Sequence, residues 1–292
     1  MQRNPYHDYR SRSIYMVTLH RASGASSFSA LVGKGCDADT ERSETGGVIA
    51  WYLLNMERIC SRLRTLQYVI MPDYVQVLLF ATDRLEHELG YYIDLLKAMI
   101  GERISGRTQD NSAVFAEGFQ EMPLGRNQSL SSIYEYMRSS SSRLAAVAGD
   151  PGFYTRRSQI TIDGRRWHAF GNIHILANPF MSQVVVHRAD TSEERERNRI
   201  RWLHTARNGG VLASPFVSAA EKRVLADADE ANGHTIVIHY EPPVDLNRPS
   251  TPLYGRCAGG RQLVLAPADR FLPVRQTFLY LNHIAAKIVE NK

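Results

Sequence analysis

Residues 71–80, Met-Pro-Asp-Tyr-Val-Gln-Val-Leu-Leu-Phe, constrain the fold of this chain more than any other stretch. Val75, Val77 and Leu79 fall on one side of a two-residue alternation, and Tyr74, Gln76 and Leu78 on the other. That period is the signature of a strand with two unlike faces. Pro72 stands just before the run, where a residue that donates no ladder hydrogen bond is tolerated. Thr65 to Ile70 is a second strand-like run directly upstream. The fold must therefore contain a sheet that this segment crosses with one apolar face and one mixed face.

The neighbouring segments supply the rest of that sheet. Ile14 to Arg21 reads as a strand, Ser23 to Ser27 as a small polar turn, and Phe28 to Val32 as a strand paired with the first. Residues 33–46 are rich in Gly, Asp, Glu and Ser and predict a loop. Val48 to Leu63 has helical spacing, with Ile49, Leu53, Met56 and Cys60 on one stripe, and Leu85 to Ile104 repeats the pattern through Leu89, Tyr92, Leu96 and Met99. Strands, helix, strands, helix is the order of a ferredoxin-like α+β sandwich. A further helix runs through Leu130, Ile133, Tyr136, Met137 and Leu144, with Asn127 or Ser129 as its candidate cap.

Gly149-Asp150-Pro151-Gly152 is the strongest punctuation in the chain and predicts a domain boundary, with residues 151–167 as a linker. Beyond it the pattern changes. Ile173 to Leu176, Gln183 to Val186, Val211 to Ala213, Thr235 to His239 and Gln262 to Ala266 read as strands. Ser192 to Asn208, Ala219 to Asn232 and Thr277 to Glu290 read as helices. Strands alternating with helices predict a second, α/β domain over residues 168–292 with a mostly parallel sheet.

Totals exclude several classes. At 292 residues there is room for about two ordinary domains. No run reaches the ~20 apolar residues of a membrane helix, and the charged N-terminus does not read as a secretion signal. Cys36, Cys60 and Cys257 are far apart, which fits a reducing cytoplasm better than a disulfide scaffold. Residues 1–150 carry 16 Lys+Arg against 17 Asp+Glu, and residues 151–292 carry 19 against 13. The excess positive charge is thus in the second half, which favours that half for electrostatic contact with nucleic acid.

Four motifs in order resemble one family. The Met71-Pro72-Asp73 strand is similar to the signature strand of the REP-associated tyrosine transposases, a branch of the single-tyrosine HUH transposases. There the pattern is Met-Pro-Asn/Asp-His-Val-His, and the two histidines bind one divalent metal such as magnesium or manganese. Tyr74 and Gln76 occupy those two positions here, and no His-x-His pair exists elsewhere among the ten histidines. Phe115-Ala-Glu-Gly-Phe-Gln-Glu-Met resembles the segment that precedes the tyrosine helix in Bacteroidetes-type members. Aligned by Arg143-Leu144, Tyr136 matches the nucleophilic tyrosine, and the family's Asn-Pro has become Ser140-Ser141, with Ser140 at a further ligand position. Gly209-Gly210-Val-Leu-Ala-Ser214-Pro-Phe looks like the Gly-Gly-hydrophobic-x-Ser stretch of the Rossmann-like domain of DNA-processing protein A.

The resemblance implies an HUH domain over residues 1–150, followed by a Rossmann-like domain, and DNA as partner, single-stranded or in a hairpin. A homodimer is compatible with it, and no membrane partner is implied. In an active relative the metal orients the scissile phosphate while the tyrosine attacks. A phenol and an amide are poor replacements for imidazole ligands, so the expectation is a degenerate transposase that binds DNA, uses no cofactor and lacks metal-dependent nicking. Two alternatives stay open: an active nickase using Tyr136, and a nucleotide or single-stranded DNA module centred on the C-terminal domain. Arg138, Arg143, Arg156 and Arg157 are the candidate nucleic-acid contacts. Gly209, Gly210, Ser214, Ser218, Arg256 and Arg261 are the candidate phosphate or nucleotide contacts, with Ser218 capping a helix whose N-terminus suits an anion. Gly209-Gly210 after a helix also reads as an ordinary C-cap.

Overall fold

The computed structural model describes residues 3–108, 112–125, 128–242, 251–269, 271 and 274–290. Asn127, one of the two candidate caps, lies outside them. The chain forms two compact units, one of residues 1–126 with 134–146, the other of residues 127–133 with 147–292.

In the first unit, β1 (Ile14–His20) is followed by a hairpin of β2 (Ser29–Val32) and β3 (Asp39–Arg42), then helix α1 (Glu44–Leu54). β4 (Leu63–Ile70), β5 (Tyr74–Ala81), helix α2 (Leu89–Thr108) and β6 (Gln120–Pro123) come next. The antiparallel sheet has the order β4-β5-β1-β6. Phe28 to Val32 was expected to pair with the first strand, but β2 pairs with β3, inside the stretch expected as a loop.

Helix α1 begins earlier than its apolar stripe suggests because Ser43 caps it, accepting from the Gly46 amide at 3.1 Å. Gly46 is required there: a Cβ would lie 2.0 Å from the Phe28 carbonyl oxygen. The helix stops at Asn55, whose side-chain amide donates to the Trp51 carbonyl at 2.8 Å, and Met56–Arg58 turns as a 3-10 helix. Val75, Val77 and Leu79 of β5 pack into the apolar core with Val17 and Leu19 of β1, Ile49 and Leu53 of α1, and Ile93, Leu96 and Ile100 of α2. The two helices thus cover one face of the sheet.

The tyrosine helix is two helices, α3 (Leu130–Arg138) and α4 (Ser140–Ala148), broken at Ser139. The serines cause the break by competing for backbone carbonyls. Ser139 Oγ donates to Glu135 O at 2.8 Å and Tyr136 O at 3.2 Å, and Ser140 Oγ to Tyr136 O at 3.4 Å.

In the second unit a six-stranded sheet has the order β7-β8-β12-β11-β10-β9. Arg157–Ile162 (β7) and Arg165–Gly171 (β8) form an antiparallel hairpin across Asp163 and Gly164, both at positive φ as a tight hairpin turn requires. Most of the stretch expected as a linker is therefore strand. Met181–Gln183 (β9), Val211–Ser214 (β10), His234–Ile238 (β11) and Gln262–Pro267 (β12) run parallel. Helices α5 (Ser192–Arg207) and α6 (Ala219–Glu230) pack on one face through Trp202, Ala206, Val224 and Ala228. Helix α7 (Pro252–Ala258) packs against β8 and β12, its Cys257 meeting Phe170 and Val264. Helix α8 (Arg275–Glu290) covers the core that holds Val211, Ala213, Ile236 and Leu263.

Ile173 to Leu176, expected as a strand, is a 3-10 turn capped by Asn172, which accepts from the His174 amide. The stretch around Gly255 and Arg256 is helix α7, started by the Thr251 cap with Pro252 in its first turn. Among the described residues no helix is long and apolar enough to cross a membrane.

Candidate functional site

The mixed face of β5 carries the site. Register places His20 opposite Tyr74 and Thr18 opposite Gln76, so two cross-strand polar pairs lie on one face of the sheet. Gln120 of β6 lies opposite Thr18 on its other side. The Gln76 amide donates from Nε2 to Thr18 Oγ1 at 3.3 Å. Its Oε1 is buried and has no hydrogen-bond partner. The Tyr74 phenol lies beside Ser140, which favours its ionised form. His20 and Gln120 meet at 3.4 Å, and the His20 ring centroid lies 6.2 Å from that of Tyr74. The structure thus brings Tyr74, Gln76, Tyr136, Ser140 and Arg143 into one cluster, and adds Thr18 and His20, which the sequence reading missed. The two-residue offsets of Thr18 and His20 in β1 were their only signal.

Arg143 organises this cluster. Its guanidinium sits 4.0 Å from the centroid of the Tyr136 ring. It donates to the Tyr136 carbonyl at 2.7 Å, to Ser140 Oγ at 3.0 Å and to Ser139 Oγ. Its donors are spent on the broken helix and the tyrosine face, not on an open phosphate seat. Burial pushes the Tyr136 phenol above its ordinary value, with the Arg143 charge opposing. Burial also raises the Tyr74 phenol, and Tyr136 adds to the rise, while Ser140 and Arg143 oppose it. Both shifts run against formation of the phenolate that a nucleophilic tyrosine needs.

A divalent metal does not fit these residues. The donors are a phenol, an amide oxygen, hydroxyls and one exposed imidazole, with a guanidinium beside them. Magnesium and manganese sites use carboxylate oxygens, and transition metals add imidazole or thiolate. Among the described residues no group of three or more His, Cys, Asp or Glu side chains is placed to hold a metal.

The other candidates are dispersed. Arg138 is exposed at the end of α3. Arg156 pairs with Asp150 at 2.7 Å, and Arg157 opens β7. Gly209, at φ +81°, follows the C-cap of α5, and the Gly210 amide donates back to Thr205 O at 2.9 Å. A Cβ on Gly210 would lie 2.5 Å from Thr205 Cγ2, so close packing accounts for this glycine. Ser214 is fully buried and accepts from the Phe216 amide at 3.0 Å, with Phe216 held at φ +47°. Ser218 caps α6 in a reciprocal box with Glu221. The buried Glu221 carboxylate accepts from the Val217, Ser218 and Val186 amides. The expected anion seat is thus filled by the chain's own carboxylate. Arg256 pairs with Asp229 at 2.8 Å and donates to Gln262 Oε1, and Arg261 donates to Asn232. Arg256, Arg261, Gly209 and Gly210 lie at the edge where the parallel strands begin, whereas Ser214 and Ser218 lie where β10 ends, so the six do not form one pocket.

No family model matches this sequence, and no curated protein matches it. Among solved structures, the chain is similar to DNA processing protein A from Helicobacter pylori, described with a single-stranded DNA binding mode. The identity is 16%, the TM-score 0.35, and the match spans 46% of this chain and 66% of that one, just under two thirds. It is also similar to a REP-associated tyrosine transposase bound to a REP hairpin, at 7% identity and TM-score 0.32, over 49% of this chain and 69% of that one. Likenesses at these TM-scores carry no argument about activity.

Proposed function

We propose that this chain is a DNA-binding protein of single-tyrosine HUH transposase descent in which metal-dependent strand cleavage has been lost. The four motifs of the sequence carry the descent. The order β4-β5-β1-β6, with α1 and α2 as the helical connections on one face, supports a ferredoxin-like first domain. The parallel run β9 to β12, with helices on both faces, supports a Rossmann-like second one. The loss of cleavage rests on one observation: Gln76, Ser140 and Arg143 spend their hydrogen bonds largely on one another and on neighbouring protein groups, with Tyr74 beside Ser140, at the positions where an active relative would hold metal and phosphate.

The test is an incubation with single-stranded hairpin DNA, with and without magnesium or manganese. Retained, salt-sensitive binding without cleavage is the expected result. Metal-dependent cleavage that Tyr136→Phe abolishes would overturn the proposal. A control sharpens it: the double variant Tyr74→His, Gln76→His places two imidazoles two residues apart on one strand face. Manganese should raise the melting temperature of that variant and leave the parent unchanged. An equal rise in the parent would mean that the neutral donors bind metal after all.

A further inference from the structure

Helices α1 and α2 present a groove on the side of the first unit remote from Tyr74. It is lined by Glu44, Gly47, Trp51, Tyr52, Arg103 and Arg107 around a cavity of about 660 Å³. Helical spacing places Gly47 and Trp51 one turn apart on α1, and Arg103 and Arg107 one turn apart on α2. Trp51 is 48% exposed, although both flanking elements contribute to a dense core. A Cβ on Gly47 would meet nothing within 4 Å, so this position leaves the cavity open beside the indole. The Tyr52 ring stands edge-on to Trp51 with centroids 5.0 Å apart. Arg58 covers part of the indole at 5.3 Å. Arg107 makes an ion pair with Glu44 at 3.6 Å, so two arginines and one carboxylate line this cavity, and Arg58 adds a third positive charge beside the indole.

We propose that this groove binds single-stranded DNA, one base stacking on Trp51 and the flanking phosphates resting on Arg103 and Arg107. An exposed aromatic platform rimmed by guanidinium groups suits a strand whose bases are unpaired, because every base offers a π face and every linkage a negative charge. The cavity lies within the size range of a site for one small organic ligand. An apolar partner would leave the arginine rim uncompensated, and a second copy of this chain would bring the same positive charge to meet it. The proposal extends the DNA-binding reading to a definite surface and does not depend on any chemistry at Tyr136.

The protein reports on itself. Of its three tryptophans, Trp167 and Trp202 are buried at 0% and 3% exposure, so quenching of emission by a stacked base reads Trp51. The full chain is titrated with an oligothymidylate, with thymidine monophosphate, with inorganic phosphate and with duplex of equal length. Quenching by the oligonucleotide at lower concentration than by any other probe is expected. Trp51→Ala should weaken oligonucleotide binding by roughly 5- to 100-fold, with Trp51→Phe partly restored. Arg103→Gln and Arg107→Gln should each lower the salt slope of binding by about 0.7. If the oligonucleotide binds without quenching and Trp51→Ala binds within twofold of the parent, the groove is not the site, while the DNA-binding reading survives. If the monophosphate binds as tightly as the oligonucleotide, the groove is a nucleotide site and the inference is wrong. Quenching that tracks protein concentration alone would make it a self-association face. If no DNA binds at low salt, both readings fall.

Discussion

The two faces of the four-stranded sheet dispose of their polar groups in opposite ways. The face under α1 and α2 is largely apolar and carries one carboxylate, Glu121 of β6, which is fully buried and held by Arg3 at 2.8 Å. Arg3 also stacks over Tyr9 and Phe119. The opposite face holds no carboxylate in its central cluster. It pairs neutral groups, Thr18 with Gln76 and Tyr74 with Ser140, and sets one guanidinium over Tyr136. A charge therefore sits where chemistry was not expected, and neutral groups sit where the family resemblance implies charge handling. The difference teaches that the buried charge is handled inside the packed core, while the opposite face is filled by neutral groups and one guanidinium.

The largest effect should come from the apolar face. Leu79 is fully buried in the core with Val17 and Val77. Leu79→Ala should cost roughly 3–4 kcal/mol in urea unfolding, the sum of lost transfer energy and the cavity left behind. A cost below about 1 kcal/mol would mean that this face is loosely packed, and the contrast between faces would collapse.

Glu121 gives the next largest effect, and it depends on pH. Burial pushes its carboxyl up to about 7, against the opposing charge of Arg3. Below the ordinary value of 4.5 both folded and unfolded chains hold the proton. As pH rises from there to about 7 the unfolded chain releases it first, so stability falls across that window and the loss is complete above it. Glu121→Gln should therefore match the parent near pH 4 and exceed it near pH 8 by on the order of 2–3 kcal/mol. Parallel stability curves for the two proteins between those pH values would remove Glu121 from the account.

How much of this was legible in the sequence follows from the kind of signal each feature leaves. The alternation at Tyr74–Phe80 gave β5 and its two faces, and the helical stripe of Leu89, Tyr92 and Leu96 gave α2, because burial of one face imposes a period. The α3–α4 break at Ser139 was not legible, since it depends on which carbonyls four consecutive serines capture. Strand β2 was legible, but its partner β3 lay in a polar stretch with mostly exposed residues and left no apolar pattern. Strand β7, with its burial alternating between exposed and half-buried, looked like a linker for the same reason. Within the site, Tyr74, Gln76, Tyr136 and Ser140 were legible only by resemblance. Thr18 and His20 became visible once register was known, because cross-strand neighbours are far apart in sequence. The anion seat at α6 failed because a capping box uses the same amides that would bind phosphate.

Arg143 tests the opposite face at a smaller scale. Arg143→Ala removes the cation–π contact with Tyr136 and leaves the Tyr136 carbonyl with weaker donors. A loss of about 1 kcal/mol is expected, and the Tyr136 phenol should titrate at higher pH once the opposing positive charge is gone. An unchanged stability with weaker DNA binding would instead make Arg143 a phosphate contact and reopen that face as a working surface.

The smallest expected effect is the most informative. Gln76 is 8% exposed, donates one hydrogen bond to Thr18, and leaves Oε1 buried without a partner. An unpaired buried acceptor carries a desolvation cost of roughly 1–3 kcal/mol, while the bond to Thr18 returns about 1. Gln76→Leu keeps the approximate volume and removes both terms, but it strands the Thr18 hydroxyl. Pairing it with Thr18→Val removes that group too. The double variant should then be as stable as the parent or more stable by up to about 1 kcal/mol, the sign opposite to that of Leu79→Ala on the same sheet. A packed interior gains from losing an orphaned polar atom. A working site does not, because there the amide oxygen would be bound to a ligand whose loss weakens the protein. Destabilisation of the double variant that grows when a divalent metal or hairpin DNA is added to both proteins would therefore show that Gln76 still serves a ligand.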